Sequence, residues 1–143
     1  MRICKHFMWL VIPTILLFNG CQAGGSLQIS DAWTRPALKG GNGGVFFTAN
    51  NPTNEDDTLL SASSDIADAV ELHLSIMEEG VMKMEKQDKV VFPAGEETIF
   101  QPGGLHVMLI GLHQYLNVGD SFTVTLVMEK AGEISLNVVV KEP

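Results

Sequence analysis

Four side chains in this sequence could do chemistry together: His73, Met84, His106 and Met108, separated by ten, twenty-one and one residues. Imidazole nitrogen and thioether sulfur are soft, uncharged donors, a set that suits Cu(I) better than Zn(II), Mg(II) or Ca(II). Met77 and Met82 lie close by in sequence, as auxiliary metal-binding thioethers or as an apolar rim. His113, in Gly111-Leu112-His113-Gln114, reads as a loop residue facing solvent. Taken singly, none of these residues is diagnostic, because a lone histidine is usually structural and methionine is common core filler. The joint pattern gains meaning only if the chain brings the four together.

Strands would do so. Positions i and i+2 of a strand share a face, so His106 and Met108 point one way while Val107 and Leu109 pack the other. Val70, Leu72 and Leu74 alternate with Glu71 and His73, which favours a strand from Ala69. Ile66, Ala69, Val70 and His73 also fit the spacing of a short helix capped by Ser64 or Asp65, but the period of two is preferred. Glu78-Glu79-Gly80 marks a turn. With Glu78 and Glu79 as a two-residue turn, His73 stands directly opposite Met84, at a Cβ separation of about 4.5–5.5 Å. A three-residue turn would shift that register by one.

The rest of the chain is strand-rich. Gly43 to Ala49, Thr58 to Ser63, Val81 to Glu85, Lys89 to Phe92, Thr98 to Phe100 and His106 to Ile110 read as strands, separated by Asn50-Asn51-Pro52, Pro93-Ala94-Gly95 and Pro102-Gly103-Gly104. Phe122, Val124, Leu126 and Met128, then Ile134, Leu136, Val138 and Val140, form the clearest hairpin. Trp33 with Arg35-Pro36 reads as packing at a strand edge. Short strands, frequent Gly and Pro turns and no long helix after the first residues predict an all-β Greek-key sandwich or barrel over residues 27–143.

The first residues carry an export signal. Arg2 and Lys5 precede the apolar run Phe7 to Phe18, broken only by Pro13 and Thr14, as in a cleaved signal peptide over residues 1–20. Gly20-Cys21 resembles the end of a lipobox, although Phe18 and Asn19 depart from its usual residues, so Cys21 is the candidate lipidation site and residues 21–26 a short tether. The exported chain then keeps no cysteine pair, so its stability must come from a hydrophobic core, and the roughly 115 residues from Leu27 onward are enough for a single domain. Without Arg2 and Lys5 it carries 7 basic and 17 acidic residues, a net charge of −10. That balance argues against nucleic acid as a partner.

With these residues in view, the sequence resembles the periplasmic copper chaperones of the PCu(A)C family, whose signature is His, ten residues, Met, twenty-one residues, His, one residue, Met. Asp31-Ala32-Trp33 with Arg35-Pro36, Val70-Glu71-Leu72-His73, Gly80-Val81-Met82-Lys83-Met84, Pro102-Gly103-Gly104 and Gly119-Asp120 are also similar. The resemblance implies a cupredoxin-like β-barrel in the periplasm that binds one Cu(I) through His73, Met84, His106 and Met108. It further implies delivery to a respiratory oxidase copper centre or to a thiol chaperone that assembles it.

Three other classes compete with that expectation. An electron-transfer cupredoxin needs a Cys thiolate beside two histidines, which the domain lacks. A hydrolytic enzyme needs a Lewis-acid zinc site or a nucleophile triad, and neither HExxH nor a Ser/His/Asp pattern is present. A copper-sequestering lipoprotein would use the same four ligands without specific delivery.

Overall fold

A computed structural model describes residues 25–143. The leader over residues 1–20 and the lipidation candidate Cys21 lie outside the described residues. The described chain contains strands and turns and no helix. Ten strands follow one another: β1 (Gln28–Thr34), β2 (Gly43–Asn50), β3 (Asp57–Ser63), β4 (Ala67–Glu78), β5 (Val81–Gln87), β6 (Val90–Phe92), β7 (Glu97–Phe100), β8 (Leu105–Leu112), β9 (Ser121–Met128) and β10 (Gly132–Val140). Across the sheet the order is β5-β4-β8-β7-β2-β1-β10-β9-β3-β6, and β8 also pairs directly with β2. All pairings are antiparallel except β1–β10 and β7–β8.

Alternation builds the core. Val45, Phe47 and Ala49 of β2, Val107 and Leu109 of β8, Val124 and Leu126 of β9 and Val138 of β10 are all buried in one cluster. Each Val, Leu or Phe among them contributes about 1.5–3 kcal/mol by leaving water. Phe100 of β7 stacks on Phe47 at 4.2 Å between ring centroids and meets Phe92 of β6 edge-on at 6.0 Å. Because β6 ends the strand order, that contact shows the sheet curling until its far edge faces its middle. The result is a Greek-key β-sandwich with one core, as expected.

Two local features differ from the sequence expectation. β1 was not foreseen as a strand, because its alternation breaks. The register with β2 slips between Ser30 and Trp33, where Asp31 adopts a left-handed φ of 55°. A bulge of this kind adds a residue and reverses the in/out pattern. The second difference lies in the β4–β5 hairpin. Glu79 and Gly80, with φ of 50° and 77°, are its two turn residues, so Glu78 pairs with Val81. A two-residue turn with two positive φ values favours glycine at its second position, which places the turn one residue later than Glu78-Glu79. His73 therefore pairs with Lys86, and Met84 pairs with Ser75, not with His73. The shift is even, so every side chain keeps its face.

Candidate metal centre

β8 lies between β4 and β2, and it carries His106 and Met108 on one face while Val107 and Leu109 fill the core from the other. Its register with β4 sets His106 directly opposite His73 and Met108 opposite Glu71. On the other side of β4, Met84 of β5 stands opposite Ser75. All four residues singled out by spacing thus share one face of three adjacent strands, with Met84 displaced by one cross-strand step from His73. The two imidazole rings are 5.7 Å apart, centroid to centroid, and nearly perpendicular. His106 is 4 % exposed and the His73 side chain 15 %.

Hydrogen bonds fix each imidazole by one nitrogen only. His106 Nδ1 donates to the Gly104 carbonyl at 3.0 Å, and that same oxygen accepts the Ser75 N–H at 3.0 Å. His73 Nε2 lies 2.9 Å from Glu71 Oε2, while Glu71 Oε1 accepts from Lys86 Nζ at 2.8 Å. Lys86 first and His73 second hold the Glu71 carboxyl below the usual carboxylate range, so it acts as an acceptor at neutral pH. A carbonyl and a carboxylate can only accept. The protons therefore sit on His106 Nδ1 and His73 Nε2, and in the neutral rings His106 Nε2 and His73 Nδ1 keep their lone pairs.

Those two nitrogens are buried and have no hydrogen-bond partner. A buried polar atom left unpaired costs about 1–3 kcal/mol, and such atoms are rare unless they serve a function. One nitrogen anchored on a carbonyl or carboxylate with the other free is the arrangement of metal-binding histidines. Among the described residues, no group of three or more His, Cys, Asp or Glu side chains could hold a metal ion.

The surroundings leave room for an ion and for an approaching surface. Met84, His106 and Met108 line an open cleft of about 330 Å³, together with Arg35, Gly44, Phe46 and Pro102. Gly44 stands opposite Met108, and a Cβ there would come within 3.0 Å of the Phe46 ring. Glycine at this position lets Phe46 lie across β2 and meet His106 at 6.3 Å, with Trp33 behind it at 5.0 Å. Met77 and Met82 pair with each other nearer the hairpin tip, apart from the histidines. His113 is half exposed and bonds to Asp68 and to the Asp65 carbonyl, away from the cluster.

Sequence reasoning missed the two anchors. Glu71 could have been found, since it precedes His73 by two residues on the same face. The Gly104 carbonyl could not, because it depends on how the turn after Pro102 folds back.

Comparison with known proteins gives the family and the fold. The family model "LpqE-like: Putative lipoprotein LpqE-like" matches residues 27–140. "Uncharacterized protein RP573" of Rickettsia prowazekii is 34 % identical over 76 % of this chain, which spans only 62 % of that relative. "Putative lipoprotein Lxx21020" of Leifsonia xyli is 32 % identical over 92 % of this chain and 78 % of its own. Among solved structures, the copper-bound PCuAC domain from PmoF2 superposes with a TM-score of 0.70 at 27 % identity, covering 85 % of this chain and 97 % of that one. CuI-DR1885 from Deinococcus radiodurans gives 0.59 at 25 %, covering 86 % and 83 %. The chain belongs to the LpqE-like family, and its fold is that of the PCuAC domains.

Proposed function

We propose that this protein is a copper chaperone, that it holds one Cu(I) as cargo through His73 Nδ1, Met84 Sδ, His106 Nε2 and Met108 Sδ, and that it passes the ion to an acceptor protein. The observation that carries the proposal is the pair of buried, unpartnered imidazole nitrogens on adjacent strands, each preset in its metal-accepting tautomer. Two thioethers on the same face supply the soft donors that favour Cu(I) over harder ions. The copper-bound state of two structurally similar proteins supports the same ion here.

A neutral ligand set suits transport. Loading requires no proton to leave either imidazole, and Met84, on the sheet-edge strand β5, is the ligand most open to a competing donor. The acceptor in this reading is an oxidase copper centre or a thiol chaperone serving it, on the outer side of the cytoplasmic membrane. The family description and the Cys21 lipobox support a lipid anchor there. None of the chemistry needs a catalytic step.

Anaerobic Cu(I) titration against a competing chelator tests the site. One tight equivalent is expected. The His106→Ala, Met108→Ala variant should weaken it by more than the roughly 10–100-fold typical of losing an outer partner. A tight equivalent that survives the double change would sink the assignment. Incubating the loaded protein with an apo oxidase copper domain then tests delivery, and copper that stays put would point to storage.

A further inference from the structure

Three thioethers remain exposed on the β4–β5 hairpin, where packing gives them no reason to be: Met77 at 64 %, Met82 at 50 % and Met84 at 57 %. Met77 and Met82 are direct cross-strand partners. In a two-residue hairpin the closing pair, here Glu78 and Val81, is the hydrogen-bonded one. Met77 and Met82 then occupy a non-hydrogen-bonded position, where Cα atoms lie about 4.5 Å apart and side chains are closest. Met84 follows Met82 by two residues on the same face, about 7 Å along the strand. His73 and His106 stand one further step in.

The face is chemically selective. Glu78 and Lys83 pair with each other on the opposite face of the hairpin, and Lys86 is tied to Glu71. Between the turn and the histidines, the strand face of β4 and β5 presents Met77, Met82, Met84 and the buried Ser75. Sulfur is the only strong soft donor in that stretch.

We propose that Met77 and Met82 form a second, weaker Cu(I) site at the hairpin tip, and that Met84 hands the ion between it and the His73–His106 pocket. This builds on the four-ligand reading and adds a route to it. In the transfer, Cu–S bonds to Met77 and Met82 break as Cu–N bonds to His73 Nδ1 and His106 Nε2 form, with Met84 bound throughout. Copper stays Cu(I), and between the neutral rings no proton moves, because in that tautomer both accepting nitrogens lack hydrogen.

The test is titration of the methyl-¹³C-methionine protein with Ag(I), a redox-inert stand-in for Cu(I), followed through the methionine methyl signals. The first equivalent should shift Met84 and Met108. The second should shift Met77 and Met82 together, while Met128 stays still. In the Met77→Leu, Met82→Leu variant the second step should vanish with the first intact, and loading from a Cu(I) chelate should slow. Methyl signals of Met77 and Met82 that never move under excess Ag(I) would overturn the proposal, as would their shifting with Met108 in a single step. Failure of the four-ligand reading looks different: Met108 would stay unmoved at the first equivalent.

Discussion

The β4–β5 and β9–β10 hairpins are built from similar strands and serve opposite ends. In β9–β10, Phe122, Val124, Leu126, Met128, Leu136, Val138 and Val140 are buried, and the turn is bolted to the body. The buried Asp57 carboxylate accepts the N–H groups of Lys130 and Ala131, and Glu129 N–H donates to the Thr58 carbonyl. The β5 strand instead lies exposed along nearly its whole length at the edge of the sheet, with β4 as its one strand partner. Methionine makes the contrast plain, since Met128 is 3 % exposed and Met82 lies half open. Residue type does not decide a methionine's role. What surrounds it does.

The largest expected effect tests that contrast directly. Met128→Ala should cost about 2–5 kcal/mol of stability in urea unfolding, as a cavity in the core does. Met82→Ala should stay within about 0.5 kcal/mol, as at an ordinary surface position. Similar costs at the two sites would erase the distinction between a packing hairpin and an exposed one.

Glu71→Gln sharpens it from the other side. The substitution keeps the shape but removes the carboxylate that orients His73, so Cu(I) affinity should fall about 10–100-fold in chelator competition, with little change in stability. A large loss of stability with unchanged affinity would make Glu71 a structural residue.

The smallest effect concerns the base of β4, where His113 of the β8 end holds Asp68. The Asp68 hydrogen bond keeps the His113 imidazolium above its ordinary value. A raised folded value means that the stability it adds is fully present below about 6.5 and fades as pH rises through the folded value. In His113→Gln this slope should disappear from stability-versus-pH curves. A wild-type slope of opposite sign would refute the pairing.

Much of the architecture was legible because alternation is a strong signal. The β9–β10 pattern, the His106–Met108 face and the turns at Pro93 and Pro102 follow from period and turn chemistry alone. β1 was not, since the bulge at Asp31 destroys the very periodicity that marks a strand. The hairpin register was misjudged by two positions because two turn placements differ by one residue, and only Gly80 at positive φ selects between them. A shift of two leaves each side chain on its own face, so the four side chains still share one face despite the incorrect pairing. What sequence could not supply was the meeting of His73 and His106. It depends on β4 and β8, paired across three intervening strands of chain, and no local pattern encodes such a contact.

The two imidazoles also differ in what mutation can reach. His106 is steered by a main-chain oxygen, an atom that every residue type at position 104 would still provide. His73 is steered by a side-chain carboxylate that a single codon change removes. Evolution can therefore tune one half of the pocket by ordinary substitution at Glu71 or Lys86, while the other half changes only if the turn itself is rebuilt. Under the proposed function, the grip on the ion is therefore adjustable at one imidazole and fixed by the main chain at the other.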